Sequence, residues 1–274
     1  MNTRIAFIGG GNMATSLAGG LIAAGSRPAS IIVAEPDADK RTQLSKQFGV
    51  ATTSDNIETL LQDVVVLSVK PQLMQTVCRQ LADSANVQNP LYVSIAAGIR
   101  TADIARWLGD DVAVVRCMPN TPALIRCGAT ALYANKTVSE EQQHLADEIL
   151  RAAGITAWVA DEDLLDVVTA LSGSGPAYFF LLMEAMQKTA VNLGLDEETA
   201  SALTLQTALG AARMANESEL DVQELRARVT SKGGTTAAAV TSFEHNDFHH
   251  NVSKALHAAY NRSRELADEL GKDI

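Results

Sequence analysis

Basic residues are scarce in this chain: 22 Lys and Arg stand against 32 Asp and Glu, a formal net charge of −10. A field of that sign repels phosphate backbones, and the basic residues form no long patch, so nucleic acid is not expected as a partner. Cysteine is scarce as well. Cys78, Cys117 and Cys127 are odd in number and make no Cys-x-x-Cys pair, which argues for a reducing compartment with all three as packing residues. A membrane-length apolar run is missing too. The longest uncharged stretch, residues 167–183, has Ser172, Gly173, Ser174, Gly175 and Pro176 in its middle and is short for a bilayer span. The start, Met1-Asn-Thr-Arg4, enters an apolar strand ending in glycines and lacks the layout of a secretory signal. A cytoplasmic protein with no membrane partner is the expectation, and residues 167–183 read as a buried helix at a subunit interface.

What is present is ample core material. The 274 residues are 47% hydrophobic and only 20% charged, enough apolar surface for folded domains and too little charge for disorder. At roughly 100–200 residues per domain, two domains are expected. Short β-branched runs at residues 4–8, 31–34, 64–69, 91–95 and 112–117 alternate with helical stretches such as 13–24 and 37–48. Continuous apolar runs like Val64-Val-Val-Leu67 suit strands buried on both faces, and the alternation argues for βαβ units in a doubly wound parallel sheet. A further strand, helix and strand follow at 129–133, 139–153 and 155–159, the helix opened by a capping box, Ser139-Glu-Glu-Gln142. Beyond about residue 160 no strand pattern remains. Helical periodicity covers 162–171, 177–193, 197–215, 222–229, 235–245 and 249–270. The expected organisation is therefore α/β: residues 1–160 a dinucleotide-binding domain, and residues 161–274 an all-helical substrate-binding and oligomerisation domain whose apolar helices pair with another subunit.

The dinucleotide assignment rests on Ile8-Gly-Gly-Gly-Asn-Met-Ala14, which satisfies G-x-G-x-x-[G/A] where a strand meets a helix. Gly9 permits the tight turn, Gly11 lets the backbone approach a pyrophosphate, and Ala14 allows close helix–strand packing, as in a Rossmann-type domain. Glu35, at the end of the second strand, occupies the position that binds the ribose 2′-hydroxyl in NAD enzymes. Lys40 and Arg41, one turn onward, could instead neutralise a 2′-phosphate, so the choice between NADH and NADPH stays open at this point. Three further strands end in Ser68-Val-Lys-Pro-Gln72, Ala96-Ala-Gly98 and Met118-Pro-Asn-Thr-Pro122, all on one sheet edge, which suggests a shared cleft including Pro71, Gly98, Met118, Asn120 and Thr121.

In the helical part, Val229-Thr-Ser-Lys-Gly-Gly-Thr-Thr236 opens a helix whose unpaired first-turn amides and hydroxyls form an anion site suited to a substrate carboxylate. Leu171-Ser-Gly-Ser-Gly-Pro-Ala-Tyr178 places Pro176 at a first helical position and, taken alone, reads as a hinge. His245 and His249 have i, i+4 spacing, but no carboxylate or cysteine completes a ligand set, so no metal site is assigned.

Together these segments resemble pyrroline-5-carboxylate reductase over essentially the whole chain. The marks are Phe7-Ile-Gly-Gly-Gly-Asn-Met13, Val69-Lys-Pro71, Ala96-Ala-Gly98, Met118-Pro-Asn-Thr-Pro122 and, more specifically, the 171–178 and 229–236 segments, in matching order and spacing. The resemblance implies reduction of Δ1-pyrroline-5-carboxylate to L-proline, the last step of proline biosynthesis, with NADPH as usual donor and NADH as the alternative. It implies that Ile8, Gly9, Gly10, Gly11, Asn12, Met13, Glu35, Asn56, Val69, Lys70 and Ala97 line the dinucleotide. Ser231, Gly233, Gly234, Thr235 and Thr236 would hold the substrate. Thr236 and Glu162 would act on the imine, Thr236 through a hydrogen bond to the ring nitrogen. A homodimer, or a higher assembly of dimers, is implied for the helical domain. Lys232 stands where the family commonly has proline, and Glu35 where a 2′-phosphate contact belongs. A cyclic imine is already electrophilic, and its reduction yields an amine rather than an alkoxide, so positioning can supply most of the catalysis. The alternatives are a related imine reductase, a β-hydroxyacid dehydrogenase using Lys188 as acid, and a non-catalytic dinucleotide sensor.

Overall fold

A computed structural model describes residues 3–84 and 89–272; Met1 and Asn2, with which the chain opens, lie outside the described residues. By internal contacts the chain divides into two units, Met1–Ser174 with Ala259–Ile274, and Gly175–Ala258.

The first unit carries an eight-stranded sheet with the order β3-β2-β1-β4-β5-β6-β7-β8. The strands are β1 (Ile5–Ile8), β2 (Ile31–Ala34), β3 (Ala51–Thr53), β4 (Val64–Leu67), β5 (Leu91–Ser94), β6 (Val114–Met118), β7 (Gly128–Ala134) and β8 (Gly154–Trp158). Between them run α1 (Asn12–Ala23), α2 (Ala38–Phe48), α3 (Pro71–Ala82), α4 (Thr101–Leu108) and α5 (Glu140–Arg151), followed by α6 (Leu164–Val168). Strands β1 to β6 are all parallel, and the order reverses between β1 and β4, the switch point outside which doubly wound sheets bind ligands. All four residues of β4 are fully buried, as its unbroken apolar run requires for a strand covered on both faces. The two covers are separate apolar clusters. Ile5 and Phe7 of β1 pack with Leu17, Leu21 and Ile149, while Ala6 and Ile8 point the other way to Met74, Cys78, Ile104 and Trp107.

One departure from the parallel sheet is β7, which runs antiparallel to β6. Only residues 119–127 join the two strands, as a short turn with no crossover helix, and a parallel neighbour would need a dozen or more residues to return. Strand β8 restores parallel pairing through α5, which opens with the expected capping box of Ser139 and Gln142. Strand β3 was not signalled by the sequence. It is three residues long and nowhere fully buried, so it carries little apolar pattern.

The second unit contains α7 (Gly175–Asn192), α8 (Glu197–Glu217), α9 (Val222–Arg228), α10 (Thr235–His245) and the first part of α11 (Phe248–Leu270), whose last turns, from Ala259, belong to the first unit. Asp196 and Asp221 cap α8 and α9 through the Thr199 and Glu224 amides. This unit buries little of its apolar surface: Phe179, Phe180, Leu181, Leu209 and Met214 are each more than half exposed. Residues 164–192 form a helical run of 29 residues, longer than the 167–183 stretch suggested, and apolar enough by length and composition alone to cross a membrane. Face exposure of this size on a folded chain marks a surface that something else covers.

Candidate functional site

The carboxyl edge of β1 and β4 is built around Gly9. Its φ of +96° and its close approach to Ser68 leave no room for a side chain: a Cβ there would lie 2.8 Å from the Ser68 carbonyl oxygen. The Gly9 amide donates to the Ala34 carbonyl (2.8 Å), and the Ser68 hydroxyl donates to the carbonyls of Ile8 and Gly9, both at 2.8 Å. The turn is thus locked to β2 and β4 at once. Gly11 is the N-cap of α1 with no capping side chain, and a Cβ on it would meet nothing within 4 Å. Uncapped amides facing open space at a switch point are the arrangement a pyrophosphate needs, so these residues fit the dinucleotide that the loop implies. Ala14 is buried beneath.

Glu35 is not a free acceptor at the strand end. It is 7% exposed, and its carboxylate accepts from the Gly10 amide (2.8 Å) and the Asp37 amide (3.1 Å). Arg41 lies alongside, donating through Nη1 to the carbonyls of Glu35 (2.7 Å) and Pro36 (2.8 Å). Asp37 caps α2, and the amides of Asp39 and Lys40 that it accepts hold its carboxyl below the usual range. Asn56 opens a helical turn after β3, and its amide donates to Gln80 of α3 at 3.0 Å. Val69 packs against the Gly9 turn, and Pro71 starts α3 after Lys70. Ala97 and Gly98 follow β5. Gly98, at φ +73°, faces Leu266, Ala267 and Leu270 at the end of α11, and Arg100 pairs with Asp268 at 3.5 Å.

Met118, Asn120 and Thr121 follow β6. Both ends of the Asn120 side chain have partners within the protein: it accepts from the Ala129 amide (2.9 Å) and donates to the Ser172 carbonyl (3.1 Å). Ser231, Gly233, Gly234, Thr235 and Thr236 lie in the second unit at the start of α10. Gly233 has φ +73°, Gly234 is the N-cap, and no side chain caps the helix. The first-turn amides beside two threonine hydroxyls form a cradle suited to a carboxylate. Lys188, the acid that a dehydrogenase reading would require, is 72% exposed and paired with Glu184 on its own helix.

Glu162 sits in a buried ionic cluster of the first unit. Its carboxylate accepts from the Thr101 amide (2.7 Å), the Thr101 hydroxyl (2.8 Å) and Arg116 Nη1 (3.1 Å). It thereby caps α4, which has no cap of its own. Arg116, whose side chain is 4% exposed, also faces Asp166 at 3.8 Å, and Asp166 accepts from the Ser263 hydroxyl at 2.6 Å. Arg116, Asp166, Ser263 and Ser68 were not singled out from the sequence. An arginine inside the apolar run of residues 112–118 was the available signal, because a charge in a buried strand demands a partner. Among the described residues Cys78 and Cys117 are buried and Cys127 is exposed, all as free thiols.

Comparison with known proteins agrees with this geometry. Residues 162–266 match the family model described as pyrroline-5-carboxylate reductase dimerisation, and residues 4–98 match that of the coenzyme F420-dependent NADP oxidoreductases. A pyrroline-5-carboxylate reductase of Pseudomonas aeruginosa is 55% identical over 270 residues, covering 98% of each chain, and one of Haemophilus influenzae is 44% identical over 96% of this chain and 97% of its own. The structure of a Coxiella burnetii pyrroline-5-carboxylate reductase superposes with a TM-score of 0.93 at 48% identity, covering 97% of this chain and 99% of that one. A Plasmodium falciparum pyrroline carboxylate reductase, solved with NADP bound, gives 0.85 at 29% identity over 97% and 98%. With full-length relatives at this identity and a matching helical region, the chain belongs to the pyrroline-5-carboxylate reductase family.

Proposed function

We propose that the chain reduces Δ1-pyrroline-5-carboxylate to L-proline with NADPH as the donor, NADH being the alternative. The observation that carries this reading is the 55% identity along 98% of the chain to a reductase of that name, and a relative solved with NADP points to the same donor. When bound, the reduced nicotinamide would supply a hydride to C5 of the imine protonated by solvent, so that the ring nitrogen, already carrying its proton, ends as an amine. The chain's part is to bind and orient. The amides of Gly11, Asn12 and Met13 take the pyrophosphate, those of Gly9 and Gly10 being engaged by Ala34 and Glu35, with Lys70, Ala97 and Gly98 completing the edge. The amides of Gly233, Thr235 and Thr236 take the substrate carboxylate, that of Gly234 being donated to the Ser231 carbonyl, and the Thr236 hydroxyl hydrogen-bonds the ring nitrogen. Glu162 serves by positioning: its carboxylate holds the start of α4, directly after the 96–100 loop.

For domains, the proposal keeps residues 1–160 for the dinucleotide and 161–274 for substrate and assembly. The assembly is a homodimer or a set of dimers, supported by the match of residues 162–266 to a dimerisation family and by the exposed Phe179, Phe180 and Leu181. A cytoplasmic location accords with the free thiols.

The test is loss of NADPH absorbance, and separately of NADH absorbance, on addition of pyrroline-5-carboxylate, with Thr236→Ala alongside. Wild type should consume NADPH, and the variant should turn over several-fold or more slowly with NADPH binding intact. Consumption of neither donor by wild type would remove the activity. An unchanged rate in the variant would remove only Thr236.

A further inference from the structure

We infer that Asn120 is a positioning residue for this reaction, a brace that sets the Ser172–Gly173 backbone against the carboxyl edge of β6 without touching the dinucleotide. The inference rests on the function proposed above. Asn120 stands two residues past the end of β6, in the turn that reverses the chain into β7. Its two amide atoms have partners of opposite polarity, the Ala129 N–H at 2.9 Å and the Ser172 carbonyl at 3.1 Å, so its orientation is determined: oxygen to β7, nitrogen to residue 172. Both anchors of the turn are independently fixed. The Asn120 carbonyl accepts from the Ala123 amide at 3.1 Å, and the Ser16 hydroxyl of α1 donates to the Ala123 carbonyl at 2.5 Å. The brace therefore runs from the dinucleotide helix, through the turn, to the segment beginning at Thr169.

That segment is unusual in itself. Residues Thr169–Gly173 form a π-helical turn, closed by the Ser174 amide donating to the Thr169 carbonyl at 2.8 Å. Such turns are rare, and they concentrate at functional sites, since the extra residue re-aims the backbone. Gly173 lies against Met118 at its end: a Cβ there would displace the Met118 thioether methyl, the far end of a flexible side chain. Two separate contacts, Asn120 to Ser172 and Met118 to Gly173, thus hold the same stretch to the same strand end. A misplacement of order 1 Å at such a boundary can cost about 10²-fold in rate without removing any group that contacts substrate.

Three variants test this: Asn120→Asp, Gly173→Ala, and Met118→Ala/Gly173→Ala together. Asn120→Asp keeps the acceptor for Ala129 and presents an oxygen to the Ser172 carbonyl, so it breaks one side of the brace at constant shape. We expect kcat for pyrroline-5-carboxylate to fall about tenfold or more, the NADPH dissociation constant, read by nucleotide fluorescence, to stay within about threefold, and the urea midpoint to move little. Gly173→Ala should lower kcat less, since the end of the Met118 side chain can shift, and the double variant should recover part of the loss, since removal of the thioether vacates the space the new methyl needs. Weakened NADPH binding by Asn120→Asp at unchanged kcat would make Asn120 a cofactor contact and overturn the inference. A fallen urea midpoint with unchanged kcat per folded enzyme would reduce it to a stability role, and no recovery in the double variant would sink the link through Met118. An inactive wild type would instead remove the proposed function itself.

Discussion

Arg116 offers the sharpest stability test, because among the described residues it is the cation placed between Glu162 and Asp166. Replacing it by Met keeps an unbranched chain of similar length but leaves two carboxylates that are 16% and 3% exposed without their counter-ion. Breaking a buried pair by removing one partner costs about 3–5 kcal/mol, mostly the cost of the orphaned charge. The low end applies here. Glu162 keeps both Thr101 donors, Asp166 keeps the Ser263 hydroxyl, and the Arg116–Asp166 separation of 3.8 Å is long. A loss of about 3 kcal/mol corresponds to a fall in Tm of roughly 6–12 °C, at ~2–4 °C per kcal/mol for a domain of this size. The assay is urea unfolding at fixed protein concentration, since an assembly makes stability concentration-dependent, with thermal unfolding as a check. The companion variant Arg116→Met/Glu162→Gln/Asp166→Asn carries no charge in the cluster and should regain most of the loss, because a neutral isosteric core is often as stable as the ion pair it replaces. Arg116→Met within about 1 kcal/mol of wild type would show that the cluster is solvated and that the argument from burial fails.

Three further outcomes concern the glycine turn and the buried thiols. Gly9→Ala should weaken NADPH binding about tenfold or more, measured by fluorescence titration, since the new methyl meets the Ser68 carbonyl at 2.8 Å and a φ of +96° disfavours any side chain. In native protein at pH 8 a thiol reagent should label Cys127 rapidly and the other two slowly: burial pushes the Cys78 thiol up to about 12 from 9.0 and drives Cys117 upward as well. The sign for stability follows. The raised thiols favour the fold below the unfolded value near 9 and lose that contribution as pH climbs towards 12, so the urea midpoint should fall on the alkaline side, and a flat profile from pH 8 to 11 would count against their burial.

Much of this molecule was readable in one dimension because the relevant physics is local. The run Val64-Val-Val-Leu67, the Gly9–Gly11 loop, the capping box at Ser139 and the glycines before Thr235 each act within a few residues, and each stands where its pattern placed it. The 171–178 and 229–236 segments even carried the family, since their residue order is far more specific than a glycine loop. What sequence could not reach depends on partners distant along the chain. Glu35 stood at the position of a ribose contact and is also a buried acceptor for Gly10, 25 residues away. Asn120 looked like a cleft residue and bridges to Ser172, 52 residues on. Glu162, which the resemblance placed beside the imine, is also tied to Thr101 and Arg116, which only the packing of α6 against the sheet brings near it. The direction of β7 belongs to the same class. Propensity makes residues 128–134 a strand, but the length of the connection from β6 and the place left at the sheet edge decide which way it runs. Element type, the dinucleotide loop and the family were determined by the sequence alone, through short-range chemistry. Which carboxylates and amides are free to meet a ligand was decided by the tertiary structure, because a hydrogen-bonding group is available only when no distant neighbour has already satisfied it.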